Sequence, residues 1–283
     1  MQLSNELEDL CAVGEELVGY PDLQGRMLLF RRCFVLKPVH LLRTLPPEML
    51  TEFISGFELI KRGIIASLFG CALGEINDDT FSMCNLSIKR GGLGMELLRE
   101  TAPCAYIASL LDYDRRYGGV MNDLDINRGG FYDGVREALR YIPLADGIME
   151  SVVALLQLYH SDSTGSVQHQ LVQKCQQVRM ATLEQSLSRE HLYWWRSLQN
   201  DEAGCWLEVM PIFAKMTMSN VNFATALRYR YFMRVEGHVD GAKCKCKKVL
   251  DSRGHHLASV CSYGGERIAT HDGMKYEFNN ILR

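Results

Sequence analysis

Between Pro46 and Gly70 the apolar residues recur at every third or fourth position. Met49, Leu50, Phe53, Phe57, Ile60, Ile64 and Ile65 fall on one stripe, while Glu48, Glu52 and Glu58 fall off it. Only a helix of about 3.6 residues per turn gathers such a set on a single face; a strand would scatter it over two. The proline pair Pro46-Pro47 at the start and Gly70 at the end are the expected punctuation. Patterns of the same kind cover 6–17, 23–43, 93–112, 133–160, 167–187 and 219–235, and seven prolines in 283 residues interrupt them little. Alternating, strand-like patterns are confined to 83–88 and 142–144. The expected fold class is therefore all-α, mainly helical with few or no strands. The small polar run 161–166 reads as a flexible connection.

With 47% apolar and 23% charged residues the chain can bury a sizeable core, which excludes a disordered or collagen-like polymer. Its length exceeds one average domain. The expected divisions are a helical body over 1–187, a helical linker carrying a basic helix over 188–243, and a small C-terminal module over 244–283. The first ten residues are acidic and lack the basic start of a signal peptide. The longest apolar stretch, 63–74, is too short to span a bilayer, so no membrane partner is expected. The ten cysteines then read as reduced thiols of an intracellular protein.

Those cysteines are unevenly spread. Seven are scattered from Cys11 to Cys205, whereas Cys244, Cys246 and Cys261 crowd near the end with His255 and His256 between them. Three thiolates and one imidazole complete a tetrahedral zinc shell, and zinc imposes no other geometry. A small polar segment has little core, so the metal would supply its folding energy. The expected module is a Cys-Cys-His-Cys zinc knuckle with Cys244, Cys246, His256 and Cys261 as ligands. His255 is the alternative imidazole and His271 a more distant one.

Charge is uneven too. From 228 to 253 eight basic residues face three acidic ones, so this segment carries +5 and the remainder −8. Arg228, Arg230, Arg234, Lys243, Lys245, Lys247 and Lys248 are the candidate nucleic-acid contacts, with Tyr229, Tyr231 and Phe232 interleaved as candidate stacking rings. The plain alternative is a solvated helix face whose aromatics belong to the core.

Other motifs carry less. Asn77-Asp-Asp-Thr80 reads as a helix cap or loop, and Asp112 with Asp114 as solvated acids. Gly91-Gly-Leu-Gly94 is too short for a phosphate cradle and reads as a tight turn with positive φ ahead of the next helix. Trp194-Trp195 reads as core. His40, His160, His169 and His191 are isolated, and no catalytic triad stands out.

Several blocks, in order, resemble the C-terminal region of non-LTR retrotransposon reverse-transcriptase polyproteins of the lineages with a restriction-enzyme-like endonuclease. Upstream they are Lys37-Pro-Val-His-Leu-Leu-Arg43, Pro46-Pro47, Phe57-Glu58, Gly91-Gly-Leu-Gly94, Ala105-Tyr106 and Ala108-Ser109. Downstream they are Arg196-Ser-Leu-Gln199, Ala203-Gly-Cys-Trp-Leu207, Pro211, Phe223, Ala226-Leu-Arg228 and Arg230. The cysteine–histidine cluster with Asp251 and Gly254-His-His256, then Gly264-Gly-Glu-Arg267, His271-Asp272 and Asn279-Asn-Ile-Leu282, complete a match over about 25–283. Ser87 stands where the family usually has proline, and Lys247 where a glycine commonly follows the second cysteine. The polymerase's Tyr-x-Asp-Asp carboxylates are absent, and the endonuclease carboxylates would fall past Arg283. The resemblance implies a non-catalytic thumb and post-polymerase region, binding RNA or DNA through a basic helix and a zinc knuckle, with nuclear location on that ground alone.

Overall fold

The computed structural model of the protein describes residues 2–123, 128–142, 167–200, 202–235, 241–254, 256 and 261. It is mainly helical, with no sheet among the described residues. Two compact units divide between Asn220 and Val221, where composition suggests divisions after 187 and 243. None of the helices among the described residues is long and apolar enough to cross a membrane.

The first unit opens with α1 (Gln2–Gly19), α2 (Leu23–Leu29), α3 (Val39–Thr44) and α4 (Thr51–Phe69). The founding stripe is the buried face of α4: Phe53, Phe57, Ile64 and Ile65 are all shut from solvent, and Gly70 ends the helix at φ +60°. Met49 departs from the stripe and lies exposed. The proline pair starts a 3-10 turn at Pro47–Leu50, and three residues per turn swing Met49 away from the face that α4 continues. Phe34 stacks on Phe57 with centroids 5.2 Å apart. α1 packs on α4 through Gly14 and Gly56. A Cβ at Gly56 would lie 2.5 Å from the Leu7 side chain, so its absence lets the axes close.

The single helix expected over 23–43 is broken. α2 runs into a π-helical turn at Phe30–Phe34, and α3 begins only after Pro38. A proline there has no N–H for the ladder, and its ring opposes the carbonyl of Phe34.

α5 (Asp78–Cys84) is capped by Asn77, whose side chain accepts from the Thr80 amide at 2.8 Å, in line with the expected cap. The strand expected at 83–88 is absent: Met83 and Cys84 close α5, and a 3-10 turn at Ile88–Arg90 follows. Its apolar residues are the buried end of α5 and Leu86 in the loop after it, whereas the 3-10 turn itself holds no buried residue. The glycine run makes the tight turn. Gly91 and Gly94 adopt φ +84° and +78°, and a Cβ on Gly92 would lie 1.9 Å from the Leu86 carbonyl oxygen.

α6 (Leu98–Asp123), α7 (Arg128–Leu139) and α8 (Val167–Ser186) close a second cluster that includes Ile107, Leu111, Val135 and Leu171. Ile142, in the other segment expected as a strand, is a buried bend residue just after α7, and 143–166 lie outside the described residues, as do the run 161–166 and His160. Asp112 accepts from Arg43 at 3.1 Å on a half-exposed surface, and the Asp114 side chain is not among those described. α9 (Arg189–Ser197) buries Trp195 fully while Trp194 is half-buried. The Trp195 Nε1 donates to the Arg90 carbonyl at 3.1 Å, pinning α9 to the glycine turn.

A buried lysine lies inside this unit. Lys61 has no exposure, and its Nζ donates to Asn85 Oδ1 at 2.7 Å, the Glu96 carbonyl at 2.6 Å and Glu58 Oε2 at 3.2 Å. A neutral amine has two N–H groups; three acceptors at these distances require the ammonium.

Candidate metal centre

The second unit begins in α10 (Asn220–Arg230). The helix ends in a Schellman arrangement, with the Met233 amide bonded to the Arg228 carbonyl at 2.9 Å and Phe232 at φ +59°. Further on, Lys243 and Val249 form an antiparallel bridge, and the Leu250 amide reaches the Ala242 carbonyl at 2.7 Å. At the tip of this short ribbon the Cys244 amide bonds the Lys248 carbonyl at 2.9 Å, and the Lys247 amide bonds the Cys244 carbonyl at 2.8 Å. Cys-Lys-Cys thus occupies a tight turn that points two thiols the same way. The turn puts Lys247 at φ +69°, a left-handed conformation that suits glycine.

Cys244, Cys246, His256 and Cys261 converge there, with all four ligand atoms within 4.8 Å of one another. The Cys244 and Cys261 sulfurs are 3.5 Å apart, and Cys246 Sγ lies 3.1 Å from His256 Nε2. A tetrahedron with metal–sulfur bonds of about 2.3 Å has edges of about 3.8 Å, so the group needs only slight expansion to hold an ion. Hydrogen bonding from the Cys246 backbone first, then from the His256 side chain, pulls the Cys244 thiol down to about 6. One ligand is thus ready as thiolate at neutral pH. Three soft sulfurs and an imidazole form a donor set suited to zinc, cobalt(II) or copper(I) and poorly suited to magnesium or calcium.

Asp251 organises the second side of the site. Its Oδ2 accepts from the His256 amide at 2.7 Å and its Oδ1 from the Arg253 amide at 3.1 Å, which ties the turn at 252–254 to the buried His256. In the sequence Asp251 stands out only as a residue matching the family. Its further signal is local: an Asp opening Asp-Ser-Arg-Gly has the form of a side-chain-capped turn. His255 and His271 lie outside the described residues, so His256 is the imidazole that the described group contains.

The basic residues divide. Lys243, Lys245, Lys247 and Lys248 are exposed around the cysteine turn, and Arg234 is exposed. Arg228 and Arg230 are buried instead, and Arg228 Nη1 donates to the Arg234 carbonyl at 3.4 Å. Guanidiniums enclosed in this way do not present a face to solvent, whereas the lysines and Arg234 do. The interleaved rings belong largely to the packing: Tyr231 is buried, Tyr229 and Phe232 are half-buried, and the Arg253 guanidinium sits 3.9 Å from the Phe232 centroid. Charge counting along the sequence has no access to which arginines turn inward.

Comparison with protein-family models, with curated proteins and with solved structures gives no match to this chain.

Proposed function

We propose that the chain binds RNA or DNA through a zinc-held knuckle whose cysteine turn presents a cluster of lysines to the phosphate backbone, as the non-catalytic region after the polymerase does in the retrotransposon proteins it resembles. The observation that carries this reading is the convergence of Cys244, Cys246, His256 and Cys261 beneath four exposed lysines. Thiols merely scattered through a basic segment have no reason to aim at one imidazole. Zinc would fix the turn, and the turn would fix the spacing of Lys243, Lys245, Lys247 and Lys248. Contacts of this kind position nucleic acid without reading its sequence.

The test is fluorescence anisotropy with labelled single-stranded RNA and duplex DNA over a salt series. Zinc-loaded protein should lose affinity steeply with salt. Changing all four lysines to Ala should flatten the slope by about four phosphate contacts, at roughly 0.7–0.9 per contact. An unchanged slope in that variant would refute the assignment. A second reading, a helical protein-interaction scaffold, rests on the exposed apolar residues Met210, Ile212 and Phe213. It predicts no binding to either nucleic acid.

A further inference from the structure

In the first unit, α6, the residues just after α7, and α8 surround a cavity of about 550 Å³, within the range of small-molecule sites. Three elements far apart in sequence each bring an arginine to it: Arg99 on α6, Arg140 after α7 and Arg179 on α8. We infer that this cavity binds a phosphate dianion, free or as the monoester of a small apolar alcohol.

Arg179 carries the argument. Its side chain is more than nine-tenths buried, and Nη2 donates to the Asn85 carbonyl at 2.9 Å and lies 3.5 Å from Glu100 Oε2. The Nε and Nη1 groups of the same guanidinium have no hydrogen-bond partner. A buried charged group with unmet N–H donors is costly, and natural structures almost always supply the missing acceptor. The side chain lines the cavity while Nε and Nη1 are themselves closed to solvent, so an oxyanion is met by turning the guanidinium toward the cavity. The planar fork of arginine matches two oxygens of a phosphate.

The other charges allow it. The acids lining the cavity are Asp79 and Glu100, and each has a partner: Asp79 Oδ1 accepts from Ser186 at 3.1 Å, and Glu100 faces Arg179. Burial pushes the Glu100 carboxyl up, against the pull of Arg179. Among the described residues Arg140 pairs with Glu137, three residues back on an exposed surface, and an exposed pair of this kind yields readily to a stronger anion. Tyr141, Ile142 and Leu183 also line the cavity and offer apolar surface that an ester group can cover.

Isothermal titration of the full-length chain with inorganic phosphate, phenyl phosphate and phenol at constant ionic strength tests the site. Phosphate and phenyl phosphate should bind at or below about 1 mM and phenol at least tenfold more weakly; a tighter constant for phenyl phosphate identifies the monoester, and equal constants the free ion. Exchanging both exposed arginines, Arg99→Gln with Arg140→Gln, leaves the buried packing intact and should weaken phosphate tenfold or more. Arg179→Lys keeps the charge but loses the fork, and should weaken it as well. No heat with either phosphate, or an unchanged constant in the Arg99→Gln/Arg140→Gln protein, would overturn the inference. These outcomes are independent of the metal centre, which lies in the other unit.

Discussion

Replacing Lys61 by Met keeps the aliphatic stem in its buried slot and removes the ammonium. Three oxygen acceptors then lose their donor: Asn85 Oδ1, the Glu96 carbonyl and Glu58 Oε2. Each unmet buried acceptor costs about 1–3 kcal/mol. Asn85 is wholly buried, whereas the Glu58 side chain retains 14% exposure and can recruit water, so its share lies at the low end. The swap in volume is small and adds less than about 1.5 kcal/mol. The expected loss is about 3–5 kcal/mol, the scale found when one partner of a buried ion pair is removed. Urea unfolding followed by circular dichroism at the helical minimum measures it, with the slope unchanged so that the midpoint reports stability alone. Adding Glu58→Gln should recover part of the loss, because the carboxylate left behind is then neutral. A loss below about 1 kcal/mol in the single variant would refute the assignment of Lys61 as the obligatory donor of this network.

Three further outcomes follow from local geometry. Gly92→Ala drives a Cβ onto the Leu86 carbonyl oxygen and should cost about 3 kcal/mol or more, whereas Gly56→Ala meets the Leu7 side chain, which can turn aside where backbone cannot, and should cost about 1–2 kcal/mol; equal losses in thermal melts would contradict this. Lys247→Gly relieves a left-handed lysine and should tighten metal binding by about 0.5–1 kcal/mol net of the entropy glycine loses, read by competition with a chelator; weaker binding would show that the lysine stabilises the turn. Burial first, against the opposing pull of Arg179, raises the Glu100 carboxyl. The folded chain therefore holds this proton at higher pH than the unfolded chain, and its contribution to stability, full below 4.5, is lost as pH rises through the folded value. Unfolding free energies across that window should fall less steeply in Glu100→Gln; identical slopes would reject the assignment.

Much of the helical body is legible because the 3.6-residue period depends on each segment alone. The α4 stripe, the Asn77 cap and the Gly91–Gly94 turn follow from residues within a few positions of one another. Sequence patterns mislead where burial comes from distant partners. Residues 83–88 have a strand-like pattern because the end of α5 and Leu86 just after it are covered by the fold, and Pro38 cuts a helix whose apolar pattern runs past it. Lys61 does leave a signal, since it sits four residues after Phe57 on the buried stripe with Glu58 one turn before it. The four metal-binding candidates are legible because their spacing is short. That Arg228 and Arg230 are buried is hidden from sequence because charge along a chain carries no direction, and the arginines around the α6–α8 cavity stay hidden because about forty residues separate each from the next.

Cys244, Cys246, His256 and Cys261 are placed to hold one metal ion. Cobalt(II) titration of the freshly reduced, full-length protein tests this directly, because tetrahedral thiolate coordination gives an intense visible ligand-field band that octahedral sites lack. Saturation is expected at one cobalt per chain, with displacement by one zinc and loss of the band in both Cys244→Ser and Cys261→Ser. No visible band in the reduced protein, or a band that survives both substitutions, would contradict it.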